Sequence, residues 1–162
     1  EHFAPWWPAR DPEKSLDVEF DEQLARTGAE DAAGTGLRRV GVLDDGRMAL
    51  LGNLSQIFRG PFLSCYCGWS VSADQVGRGL ATEGVWGLLD AAFVPPPTGL
   101  GLHRVQANVV PHNATSLRVA EKCGFRREGL AKDYLKIAGE WKDHVMFAKL
   151  AEEHTVRNRV RR

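Results

Sequence analysis

Leu63-Ser64-Cys65-Tyr66-Cys67-Gly68-Trp69-Ser70-Val71-Ser72 continues through Ala73-Asp74-Gln75-Val76 into Gly77-Arg78-Gly79-Leu80-Ala81-Thr82, and along this stretch the hydrophobic period changes. Leu63, Cys65, Cys67, Trp69 and Val71 alternate with smaller or polar residues, which predicts a strand with one apolar face. From Ala81 the apolar residues recur as Val85, Leu88, Leu89 and Ala92, the stripe of a helix running to about Phe93. Two glycines flank a basic residue where strand becomes helix. Glycine lets the backbone turn sharply and approach a ligand without a Cβ, and the first helical turn offers unpaired N–H groups at a positive dipole end. Such a loop either holds a diphosphate or is a plain tight turn. The dinucleotide and P-loop fingerprints are excluded, because the third glycine of one and the Gly-Lys-Ser/Thr of the other are absent.

Outward from this unit the pattern is regular. Asp11-Pro12-Glu13 is a helix-start signature and predicts a helix over about 12–28. A weakly alternating run at 37–43, the turn Asp44-Asp45-Gly46-Arg47 and an apolar run at 48–58 predict a β-hairpin, and Arg59-Gly60-Pro61 ends it. Beyond the central helix, Pro95-Pro96-Pro97-Thr98-Gly99 is a stop, and Val105, Ala107 and Val109 mark a strand with Arg104, Gln106 and Asn108 on its other face. Asn113 can cap a short helix to about Lys122, and two β-like runs near 125–137 and 141–150 surround Gly139. Helix, three strands, helix, strand, helix and two strands make an α/β (α+β) layer protein with a mixed central sheet flanked by helices.

Composition narrows the function classes. In 162 residues Lys plus Arg equals Asp plus Glu at 21 each, so no global field favours nucleic acid or an anionic membrane. The one basic cluster, Arg157-Asn158-Arg159-Val160-Arg161-Arg162, reads as a solvated tail, and the expected division is one domain over 1–150 followed by a basic tail over 151–162. Cys65, Cys67 and Cys123 are an odd number in a chain too long to need staples, which fits a reducing compartment, the cytoplasm. Cys65 and Cys67 have strand spacing with no second pair, so no metal site is expected. No stretch approaches 18 continuous apolar residues, and the first residues lack the pattern of a signal peptide.

A second constellation, Pro111-His112-Asn113-Ala114-Thr115-Ser116-Leu117-Arg118-Val119-Ala120-Glu121-Lys122-Cys123-Gly124-Phe125, sharpens the reading. Together with Gly77-Arg78-Gly79-Leu80-Ala81-Thr82-Glu83 and Arg104-Val105-Gln106-Ala107, it resembles the RimJ/RimL-type branch of the GNAT acetyltransferases. The resemblance spans about residues 1–150. His2-Phe3-Ala4-Pro5-Trp6 is similar to a family stretch that follows the first strand, which implies that this strand lies upstream of Glu1. The resemblance implies the GNAT fold and direct acetyl transfer from acetyl-CoA to a primary amine, with a homodimer among the assemblies it allows. Gly77, Arg78, Gly79, Leu80, Ala81 and Thr82 would wrap the pyrophosphate, and backbone groups of Val71 and Ser72 would pair with pantetheine. Asn113 would bond the pantetheine arm, and Ser116 would sit near the thiol as acid to the departing thiolate.

Where family members commonly carry a Glu two residues before the glycine of the third strand, this chain has Tyr66, and Gln106 replaces a frequent Glu on the next strand. A phenol, near 10 in free side chains, is a poor base at neutral pH. Tyr66 is therefore a wall of the acceptor site or a core aromatic, and the base is open. Asp143 and His144 are the remaining polar pair near the final strand and read as surface residues. An α-amine with pKa about 7.8 is roughly one-quarter neutral at pH 7.4, whereas a lysine amine is neutral in about one part per thousand. A peptide α-amine is the expected acceptor. A small-molecule amine, or acyl-CoA binding without catalysis, are the alternatives.

Overall fold

The computed structural model describes Trp6, Asp11 and residues 13–156. The elements are helix α1 (Leu16–Ala32), strands β1 (Leu37–Val42), β2 (Met48–Phe58) and β3 (Ser64–Val71), helix α2 (Leu80–Phe93), strand β4 (Arg104–Val109), helix α3 (Ala114–Lys122), and strands β5 (Arg126–Ile137) and β6 (Glu140–Leu150). They follow the predicted order. The six strands form one mixed sheet in the order β1-β2-β3-β4-β6-β5, with β3 and β4 parallel and every other pair antiparallel. The parallel pair follows from the crossover through α2, since parallel neighbours cannot be joined by a hairpin.

The stripe on α2 packs as its spacing predicts. Val85, Leu89 and Ala92 are fully buried and Leu88 nearly so, while Trp86 and Phe93 widen the buried face. They meet Leu54, Cys65, Cys67, Val105 and Ala107, the apolar sides of three adjacent strands. Gly84 makes room for Leu50 of β2, since a Cβ there would lie 2.2 Å from Leu50 Cδ2 and would displace the end of that side chain.

Two expectations are corrected. The first helix begins at Leu16 rather than near 12, because Ser15 is its cap and accepts from the Val18 N–H at 3.4 Å. Asp11 instead closes a local turn through the Glu13 N–H at 3.0 Å, and Pro12 lies outside the described residues. The basic tail also starts later than 151. Ala151–Glu153 form one turn of 3-10 helix, and the His154 side chain is buried between Trp86 and Phe93, its Nε2 2.7 Å from Asp90 Oδ1. The basic run from Arg157 lies outside the described residues.

On the sheet face turned away from α2, Arg104 of β4 reaches over β6 to Glu128 of β5, with bonds of 3.0 Å and 2.5 Å to the two carboxylate oxygens. The Arg104 hydrogen bond, helped by Arg126 against the cost of burial, lowers the Glu128 carboxyl to about 2. A depressed folded-state value means that the stabilisation is complete above the ordinary carboxylate range and is lost as pH falls through the folded value. The melting temperature of a Glu128→Gln variant should therefore lie below that of the native protein by a constant margin above pH 5, and the margin should shrink from pH 4.5 towards pH 3. Thermal melts across that range check it.

Candidate active site

The two central strands part company. β3 and β4 pair only at Ser64 with Arg104, Cys65 with Val105 and Tyr66 with Gln106, although β3 continues to Val71 and β4 to Val109. Beyond Tyr66 the β4-facing edge of β3 has no strand beside it, while β2 covers the other edge to Val71. The Ser72 N–H donates to Ala49 O at 2.9 Å, on the β2 side. Because backbone N–H groups alternate along a strand, those of Val71 and Trp69 point the other way, into the opening.

A cleft of about 730 Å³ occupies this opening, bounded by Trp69, Val71, Gln75, Val76, Gly77, Gly79, Leu80, Ala81 and Thr82 on one side and by Asn113, Thr115, Ser116, Arg118, Val119 and Lys122 of α3 on the other. Trp6 closes one wall, its ring 5.2 Å from that of His112. The two segments singled out in the sequence thus face each other across one cavity.

The glycine loop is built to meet an anion. Gly77 and Gly79 have φ of 82° and 84°, a left-handed backbone that side chains resist, and a Cβ at either would find nothing within 4 Å. Gly79 is the cap of α2 and offers no side-chain bond. The first intrahelical bond runs from the Glu83 N–H to Gly79 O at 3.0 Å, so the N–H groups of Leu80, Ala81 and Thr82 stand outside the helix ladder, at its positive end. Pyrophosphate oxygens fit such a cradle.

Several side chains differ from expectation. Ser72 does not line the cleft, since its N–H is spent on β2, its carbonyl accepts from Gln75 and its hydroxyl donates to Met48 O at 3.1 Å. The Arg78 side chain bonds Gln75 Oε1 at 2.6 Å, which leaves only its backbone in the loop. Gln75 is 5% exposed, borders the cleft and donates to Asp74 Oδ2 at 2.9 Å. Asp74 points outward to Arg47 at 2.9 Å, and the Gln75 and Arg47 bonds hold its carboxyl below the usual range. Asn113 Oδ1 accepts from the Ser116 N–H at 3.1 Å, so the residue caps α3 and its amide nitrogen is left for a ligand. Ser116 borders the cleft, half-buried.

Sequence reasoning missed Arg118 and Lys122, two cations one helical turn apart on the cleft wall; their i, i+4 spacing after Asn113 was the available signal. Gln75 and Trp6 lay in stretches that resemble the family, but neither was assigned to the cleft from sequence.

The opposite face of the sheet is polar. Tyr66 is half-buried there, beside Gln106 and close to Tyr134 of β5. Burial first, then the Tyr66 hydroxyl, push the Tyr134 phenol up. His144 is not the surface residue expected. It is 3% exposed, its ring 5.2 Å from that of Tyr134 and its Nδ1 3.0 Å from Lys142 O. Asp143 accepts from the Lys132 ammonium at 2.7 Å and the Asp133 N–H at 3.0 Å, which hold its carboxyl low and pin an irregular stretch of β5.

Among the described residues no group of three or more His, Cys, Asp or Glu could hold a metal, and no helix is long and apolar enough to cross a membrane. The three cysteines are buried and form no disulfide, and burial raises the Cys65 thiol to about 12.

Comparison with known proteins agrees with this geometry. A family model described as an acetyltransferase (GNAT) domain matches residues 1–126. The ribosomal protein uS5-alanine N-acetyltransferase of Escherichia coli (strain K12) is 34% identical over 157 residues, which cover 95% of this chain and 78% of that protein. The crystal structure of a ribosomal-protein-S5-alanine acetyltransferase from Vibrio fischeri superposes with a TM-score of 0.85 at 28% identity, covering 96% of this chain and 83% of that one. Mycobacterium smegmatis RimJ, solved in complex with CoA-disulfide, gives 0.83 at 32% identity over 94% of this chain and 72% of its own. The chain therefore belongs to the GNAT acetyltransferase family and is an acetyl-CoA-dependent N-acetyltransferase of the RimJ type.

Proposed function

We propose that the acceptor is a protein or peptide N-terminal α-amine and that transfer is direct. The observation that carries this is the through-sheet opening where β3 and β4 part, with the cofactor cleft on one side and the polar face around Tyr66 and Tyr134 on the other. The names of the E. coli and V. fischeri relatives, both alanine acetyltransferases of a ribosomal protein, support the acceptor class.

The backbone of Gly77, Arg78, Gly79, Leu80, Ala81 and Thr82 holds the pyrophosphate, with Arg118 and Lys122 adding charge. The pantetheine arm lies along the free edge of β3, paired with the Trp69 and Val71 N–H groups and with the Asn113 amide nitrogen, and carries the thioester carbonyl towards Tyr66. The neutral amine attacks that carbonyl, a C–N bond forms as the C–S bond breaks, and the Ser116 hydroxyl protonates the departing thiolate. The proton lost by the amine returns through water to Ser116. A low-pKa amine needs no strong base for this, in keeping with Tyr66 and Gln106 at the positions where carboxylates are common. Three buried cysteines with no disulfide among them fit work in the cytoplasm.

Three measurements test this reading. Release of the CoA thiol from acetyl-CoA and an alanine-initiated peptide should rise with pH at a slope near one and level off close to pH 8, the α-amine range; a rise continuing to pH 10 would contradict the α-amine acceptor. Ser116→Ala should lower kcat by about 10- to 100-fold while CoA affinity stays within about twofold; an unchanged kcat removes the acid role. Gly79→Trp should weaken CoA binding about 100-fold or more by calorimetry, because the side chain fills the open cradle and strains the left-handed cap, while circular dichroism still shows a folded protein.

A further inference from the structure

Two glycines in left-handed backbone, Gly77 at φ 82° and Gly79 at φ 84°, bracket a single side chain, that of Arg78. Glycine gives up more conformational freedom than any other residue when it is fixed, so a loop that binds through its own N–H groups gains from a contact that holds it still. Between the two glycines only Arg78 has a side chain through which such a contact can act. Its guanidinium nitrogen Nη1 donates to Gln75 Oε1 at 2.6 Å.

Gln75 is itself well held. It ends the single 3-10 turn Ala73–Gln75, its backbone N–H donates to Ser72 O at 2.9 Å, and the residue is buried. Its carboxamide is oriented from both ends. The Asp74 carboxylate only accepts, so the Gln75 atom facing it is the nitrogen, and Nε2 donates to Asp74 Oδ2 at 2.9 Å. A guanidinium only donates, so the Gln75 atom facing Arg78 is the oxygen. The same Asp74 oxygen accepts from Arg47 Nη1 at 2.9 Å, and Arg47 Nε donates to Asp45 Oδ2 at 2.9 Å. Asp45 and Arg47 lie in the turn between β1 and β2, so the glycine loop is tied through Gln75 to a hairpin on the neighbouring part of the sheet.

We propose that Gln75 is a positioning residue for the cofactor: oriented by Asp74 and the β1–β2 turn, it grips the Arg78 guanidinium and so fixes the loop N–H groups that meet the pyrophosphate. This deepens the reading of the 77–82 loop as the pyrophosphate cradle and rests on it. Arg78 then serves the cofactor as an anchor for its own backbone and not as a counter-charge, a part left to Arg118 and Lys122 across the cleft. For Asp74 the two kinds of action have opposite signs. As a bare negative charge near an anionic ligand it would weaken binding, whereas as the acceptor that orients Gln75 it strengthens it.

Dissociation constants for CoA, measured by calorimetry, test this. Asp74→Ala deprives Gln75 Nε2 of its acceptor and should raise the constant about 3- to 10-fold, the net worth of one hydrogen bond, although it removes a negative charge from the neighbourhood of the phosphates. Asp74→Asn keeps an oxygen that can accept from both Arg47 and Gln75, and should stay within about twofold of the native value. Gln75→Leu should weaken binding about 10-fold, and in that background neither Asp74→Ala nor Arg78→Ala should have a further effect. Equal or tighter binding in Asp74→Ala overturns the inference, and so does an Asp74→Asn protein that behaves like Asp74→Ala. An Arg78→Ala effect that persists beside Gln75→Leu overturns it too, because a counter-charge does not act through Gln75. Should Gln75→Leu fail to fold, the two substitutions of exposed Asp74 still decide. Failure of the underlying reading looks different: Gly79→Trp would then bind CoA like the native protein. If only the anchor is wrong, Gly79→Trp loses CoA while Asp74→Ala keeps it. Melting temperatures within a few degrees of the native value establish that folded proteins are compared.

Discussion

β3 is hydrogen-bonded on both edges for three residues and on one edge for the rest of its length, and the active site depends on that change. Backbone N–H and C=O groups inside a protein need partners, and a strand edge left open in the middle of a sheet is a standing demand for them. The amide groups of pantetheine can supply such partners along Trp69 and Val71. The gap persists because the sheet closes again beyond it: β4 pairs with β6 over its whole length, and α2 holds β2 and β3 against one face. The N-terminus of α2 and the Val71 end of β3 border the same cleft.

The two faces of the sheet divide the chemistry. On the helical face the cleft presents backbone: left-handed glycines, a helix start without a side-chain cap, and N–H groups at a strand edge. Backbone donors suit a ligand whose charge is fixed, because they need little reorganisation to meet it. On the other face the contacts are side chains in an ordered ladder from Glu128 through Arg104, Gln106 and Asn108 to Tyr134. A ladder of neutral amides costs little to keep half-buried once every donor has its acceptor. Asn113 stands between the two regimes, since one amide atom caps α3 and the other is free for the ligand.

Where neighbours along the chain decide an outcome, the sequence was legible. The stripe from Ala81 to Ala92, the Asp-Asp-Gly turn and the glycines of the loop are local facts, and the structure places each as its spacing or its φ requires. The start of α1 shows the limit even here. Asp11 and Ser15 compete as caps within one turn, and the start falls where Ser15 meets the Val18 N–H while Asp11 closes a turn of its own. The end of the body was misjudged for a similar reason, since nothing near Ala151 announces that His154 will pack against Trp86 and bond Asp90.

Sequence by itself determined the order of elements, because hydrophobic period, capping and glycine placement act over a few residues, and two short motifs carried the family resemblance and with it acetyl-CoA. Only the tertiary structure decided what gathers on the polar face of the sheet. Tyr66, Asn108 and Tyr134 come from three strands, and they meet through sheet order, strand register and an irregular stretch of β5 pinned by Asp143. A shift of one residue in register would turn each side chain to the opposite face. Such long-range pairing is set by the whole core at once, so no local run of residues could have announced it.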